Sequence, residues 1–107
     1  MQAEQLVEFV QEQLEDIKAR DIITLNVAEK ASFTDYMMIC SGNSSRHVKS
    51  IAENLNTAMK AENMKPIGIE GTDVGEWALI DLGDVIVHVM TDDTRDLYQI
   101  EKLWTDE

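Results

Sequence analysis

The sequence predicts an α/β domain built on a single mixed sheet of about five strands flanked by helices. Three observations carry that expectation. Apolar residues recur at three- and four-residue spacing in two stretches, Leu6–Ile17 and Val48–Met59, the pattern of helices with one buried face. The run Tyr36–Cys40 is apolar on both faces, as an interior strand requires. Two more apolar runs, Trp77–Leu82 and Val85–Met90, meet at Asp81-Leu82-Gly83-Asp84, where Gly83 supplies the positive φ of a tight hairpin.

Taken in order, the first 20 residues form a helix with Leu6, Phe9, Val10, Leu14 and Ile17 inward and Glu4, Glu8, Glu12 and Glu15 largely elsewhere. Lys18 and Arg20 are expected in its last turn, against the negative end of the dipole. Asp21 opens a strand over Ile22–Val27, rich in β-branched residues. After a polar turn and the interior strand, Ser44 or Ser45 caps the second helix, which cannot pass Pro66. Ile67–Gly71 is a short strand, and strand–helix–strand implies a right-handed crossover to a parallel pair. Asp92 and Asp93 open a last helix whose inward face is expected to be Leu97, Ile100 and Leu103 or Trp104. The order is α-β-β-α-β-β-β-α.

With 107 residues, residues 1–107 make one domain, and no segment reads as a linker or a repeat. No apolar run approaches the roughly 18 to 20 residues of a membrane span. The chain opens without a basic-then-apolar leader, which argues against secretion. Cys40 stands alone, so no internal disulfide forms and a reducing cytoplasm is the simplest location. A net charge of −12, from 9 basic and 21 acidic residues, argues against tracking a phosphate backbone; it suits a basic protein partner, or simply keeps the domain in solution.

The chemistry-bearing motifs are sparse. Ser41-Gly42-Asn43-Ser44-Ser45-Arg46-His47 joins a strand to a helix and could present backbone N–H groups to an anion, but it reads more simply as a turn and a cap. It lacks the ending of a P-loop, and Arg46 stands where a nucleophile elbow has its second glycine. Nucleotidyl transfer needs carboxylates paired on one strand face; the strand after the helix offers only Glu70, and Asp81 and Asp84 sit three apart across a turn. Cys40, His47 and His88 have no zinc-site spacing, so neither cofactor nor metal is expected. His88 alternates with Ile86 and Met90 and reads as a satisfied, partly buried histidine, and Cys40 as packing. What survives is a patch: a leucine at a hairpin tip, Leu82, with Trp77, Met90 and Tyr98, ringed by Asp81, Asp84 and Asp92, of the kind that marks a protein partner.

The stretch Asp35-Tyr36-Met37-Met38-Ile39-Cys40-Ser41-Gly42-Asn43-Ser44-Ser45-Arg46-His47-Val48 then gives the patch a context. With Ile69-Glu70-Gly71, Trp77, the block from Asp81 to Met90, Tyr98 and Glu101-Lys102-Leu103-Trp104, it resembles the Iojap family of ribosomal silencing factors from Leu6 to Trp104. The resemblance implies a nucleotidyltransferase-like fold without the catalytic carboxylates, and a repressor rather than an enzyme. Such a protein would bind the large ribosomal subunit through its fourteenth protein and block joining of the small subunit when nutrients are short or growth is stationary. It implies little direct nucleic-acid binding, no membrane, and a homodimer when free. Carried onto this chain, the partner surface falls on Trp77, Asp81, Leu82, Gly83, Asp84, Met90 and Tyr98, with Lys102 at its edge. Two alternatives stand beside it: a large-subunit assembly factor, and a degenerate nucleotidyltransferase using Ser44 and Glu70 with one metal ion.

Overall fold

The computed structural model describes residues 1–105. Helix α1 (Ala3–Asp16) leads into strands β1 (Arg20–Asn26) and β2 (Tyr36–Gly42). Helix α2 (Ser45–Ala61) follows, then β3 (Gly68–Glu70), β4 (Trp77–Asp81), β5 (Val85–Thr91), α3 (Asp92–Tyr98) and a 3-10 turn at Ile100–Leu103. The sheet has five strands in the order β1-β2-β5-β4-β3, with β2 and β5 parallel and the other pairs antiparallel. It is the mixed α/β sheet the sequence predicts.

The crossover differs from expectation in its partner. Helix α2 carries the chain past the middle of the sheet to the far edge, and the β3-β4-β5 meander brings it back, so that β2 pairs with β5 in the register Tyr36↔Val85 to Gly42↔Thr91. Burial explains the choice. Val85–Met90 is buried at every position, as β2 is from Met37 on, so each completes the other's ladder in the interior, whereas β3 is short and half-exposed and suits an edge.

Both faces of the sheet hold a core, of unequal size. On one face α1 and α2 cover Met38, Cys40, Ala78, Ile80, Val85, Val87 and Val89 with Leu6, Val10, Leu14, Val48, Ile51, Leu55 and Met59. On the other, Val27, Ala31 and Ile100 close over Met37, Ile39 and Met90, with Trp77 and Trp104 packed at the margin. That second cover lies over the β1-β2-β5 half and leaves much of the β4-β3 half without a layer above it.

Helix ends also depart from the sequence expectation. Helix α1 stops at Asp16 because Lys18 turns left-handed, at φ 62°, and the Ala19 N–H donates to the Leu14 carbonyl. Lys18 therefore lies beyond the helix and Arg20 begins β1, so neither sits in its last turn. Helix α3 ends at Tyr98 because Gln99 is left-handed, at φ 46°. The break turns Ile100 inward and sets Trp104 at the margin of the second core, whereas Leu97 and Leu103 are 75% and 73% exposed, so the expected inward stripe forms only in part.

Candidate functional site

The residues expected to form the partner surface occupy the two ends of β4 and the elements beside them. At one end, the Trp77 indole lies 5.1 Å from the Tyr98 ring, inclined by 48°. Tyr98 is 56% exposed, so the aromatic pair forms a step at the border between the covered and open halves of the sheet. Two arginines hold α3 in place beneath it. Arg20 Nη2 donates to Asp92 Oδ2 at 2.7 Å, which holds that carboxyl below its ordinary pKa, and Arg95 donates to Ser41 Oγ at 2.9 Å and to Glu101.

The far end, about 13 Å away along four strand residues, is the hairpin. Gly83 takes φ +89°, as the turn demands, and its N–H donates to Asp81 Oδ1 at 2.9 Å. Asp84 is exposed, and its carbonyl accepts from the N–H groups of Asp35 and Tyr36, tying the hairpin to the start of β2.

Several placements correct the sequence expectation. Leu82 is half-buried against the helix-side core, because a leucine following Ala78 and Ile80 in the strand alternation points to that face. Met90 is fully buried in the second core, opposite Trp77 across the ladder, so it supports Trp77 from below and is not a contact at the free surface. Asp92 does not ring the hairpin; it opens α3, at the other end of β5, and is bound to Arg20. Lys102 is exposed but lines a separate hollow with Asp21, Ser41 and Arg95.

What joins the two ends was not singled out beforehand. Trp77, Leu79 and Asp81 alternate onto the open face, with His88 opposite Leu79 and Ile86 opposite Asp81, while Glu70 flanks Leu79 on β3. A shallow depression runs along Glu70, Gly71, Trp77 and Leu79. The signal was the period-2 pattern from Trp77, and its weakness is that alternation does not say which of two faces goes uncovered. Gly71 seats this strip: at φ +83°, a Cβ on it would stand 1.9 Å from the Trp77 carbonyl oxygen.

His88 is 7% exposed, and its Nδ1 accepts from Trp77 Nε1–H at 3.0 Å, which assigns the ring proton to Nε2. Burial lowers its pKa to about 4, so the ring is neutral near pH 7. Cys40 is fully buried, and its thiol is pushed up to about 12 by desolvation, which suits packing.

The Ser41–His47 turn is a structural joint. Ser44 Oγ accepts from the His47 N–H at 3.1 Å; His47 Nδ1 accepts from the Asn43 N–H at 2.8 Å, and its Nε2 bonds the Ile17 carbonyl at 2.8 Å. The hollow beside it is lined by Asp92 and Asp93, which oppose an anion. Ser44 and Glu70 lie at the ends of β2 and β3, three strand spacings or about 14 Å apart, too far to share one metal ion. Among the described residues no group of three or more His, Cys, Asp or Glu side chains could hold a metal, and no helix is long and apolar enough to cross a membrane.

Comparison with known proteins bears on family and fold. The profile of the family described as "Ribosomal silencing factor during starvation" matches residues 1–107. A Haemophilus influenzae protein named ribosomal silencing factor RsfS is 46% identical over 99 residues, 92% of this chain and 97% of its own. A mouse protein named for mitochondrial assembly of the ribosomal large subunit is 37% identical over 90 residues, 81% of this chain and 40% of its own. A crystal structure of a Chromobacterium violaceum protein superposes with a TM-score of 0.94 at 40% identity, covering 97% of this chain and 87% of that one. By sequence along its whole length and by fold, this chain belongs to the ribosomal silencing factor family.

Proposed function

We propose that this protein represses translation by occupancy, binding the large ribosomal subunit through its fourteenth protein and keeping the small subunit from joining when nutrients are limiting. The observation that carries the reading is the half-covered sheet face, an apolar strip bordered by Trp77 and Tyr98 and ended by the acidic Asp81–Asp84 hairpin. A half-exposed strip of this kind fits a protein partner, and the carboxylates fit basic groups on it. Trp77 and Tyr98 supply apolar contact, with the exposed part of half-buried Leu82 at the hairpin; Asp81 and Asp84 supply charge, Gly83 the turn, Met90 support from below, and Lys102, beside α3, an outlying contact. Nothing in this assignment calls for turnover, so the protein acts without catalysis or cofactor. Its place of action is the cytoplasm, and away from the ribosome it is a homodimer.

The net charge of −12 repels ribosomal RNA wherever no basic protein face intervenes. Affinity for large subunits should therefore fall with salt far less steeply than that of an RNA binder; a steep loss measured between low and moderate salt would argue for RNA contact instead.

Light scattering of purified subunits as they join tests the mechanism. A dose-dependent fall in the joined fraction is expected, and Trp77→Ala or Leu82→Ala should remove about 2 kcal/mol or more of binding where either is a hot spot. Unimpaired joining at saturating protein would sink the silencing role. The name of the mouse relative favours a second reading, assembly of the large subunit, and association confined to immature subunits would select it.

A further inference from the structure

We propose that His88 is a positioning residue for the docking surface: its Nδ1 fixes the Trp77 indole, so that Trp77 meets the partner as an apolar ring whose N–H is already bound. The inference rests on the reading above that Trp77 belongs to that surface.

His88 is the one polar residue in the buried run Val85–Met90. An apolar side chain there would avoid the desolvation an imidazole incurs. What the imidazole adds is an acceptor, and the acceptor is used by Trp77 at 3.0 Å. Strand register makes this bond available. Trp77 faces Met90 across the β4–β5 ladder, and His88 is the diagonal neighbour two residues earlier on the same face. Trp77 is only half-buried, so its N–H could be satisfied by water in another rotamer; folding alone does not require His88 to accept it. The bond selects one ring orientation, with Tyr98 packed 5.1 Å away and the His88 ring 5.9 Å away. A ring ordered before binding does not have to be ordered on binding. The low pKa of His88 agrees with this role, because the neutral ring keeps Nδ1 free to accept near pH 7.

The test compares full-length His88→Leu and His88→Asn for binding to isolated large ribosomal subunits. Asn Oδ1 occupies the position of the imidazole Nδ1, so it keeps the acceptor while Leu removes it. His88→Leu should lose about 5- to 10-fold in affinity, and His88→Asn should stay within about twofold of the parent. In a Trp104→Phe background, where Trp77 is the only indole, His88→Leu should lower fluorescence anisotropy and shift emission to the red, and His88→Asn should do neither. Should His88→Leu fail to fold, His88→Gln replaces it, since its amide oxygen falls near the Nε2 position, out of reach of Trp77. Parental affinity in the variant lacking the acceptor, or equal losses in both variants, would overturn the proposal and leave His88 a filler of volume. Parental affinity of Trp77→Ala would overturn the docking surface itself; loss in Trp77→Ala with none in His88→Leu would overturn only the positioning role.

Discussion

The two faces of β5 are built to different ends. Val85, Val87 and Val89 are fully buried beneath two helices, in a layer of apolar side chains. Ile86, His88 and Met90 face the other way, and cover thins from the buried methionine toward the β4 side, where Leu79 and Trp77 are half-exposed. One strand thus supplies the interior of the domain and the floor of its candidate docking strip. The difference teaches that stability and recognition are divided by alternation along a single strand. Side chains on one face can change for a partner while the other keeps the fold.

The largest effect expected from this division is in packing. Leu55→Ala should destabilise by about 2 to 5 kcal/mol in urea unfolding, as a fully buried leucine does, whereas Leu79→Ala on the open face should cost under about 1 kcal/mol. Equal losses would break the comparison. Next comes pH. The folded pKa of His88 is about 4 against 6.5 for the free group, so the unfolded chain takes up the proton first. The stability due to this neutral ring is complete above pH 6.5 and lost as pH falls toward 4, by at most about 3 kcal/mol. His88→Asn should flatten that part of the curve, measured by urea titrations at pH 7 and 4.5. Smallest is the cap: Ser44→Ala should cost about 1 kcal/mol by thermal melting and leave ribosome affinity unchanged, because Ser44 serves the helix layer.

Much of this arrangement was legible in the sequence, because it rests on local rules. The periodicity of Val48–Met59, the doubly apolar Tyr36–Cys40 run, the Ser44 cap and the positive φ of Gly83 each follow from neighbours in the chain. What could not be read there is non-local. The parallel partner of β2 is decided by which other strand is buried on both faces, and a strand–helix–strand order does not name it. The left-handed residues Lys18 and Gln99 ended two helices where apolar spacing suggested continuation, since non-glycine residues give little sign of that conformation. Trp77 and the hairpin were visible as a candidate surface, but the burial of Met90, the helix-side direction of Leu82 and the Trp77–His88 bond depend on register.

The parallel pairing of β2 with β5 also sets a schedule. The central ladder of the sheet joins two strands that α2, β3 and β4 separate in the chain, so the middle of the domain stays open until residues 85–91 have been made. During synthesis, β2 must wait with one edge unpaired while α2 and the β3–β4 hairpin emerge. Contacts this distant in sequence close slowly, because the loop between them is ordered before they form. The interior under α2 therefore closes only after its most distant strand has arrived.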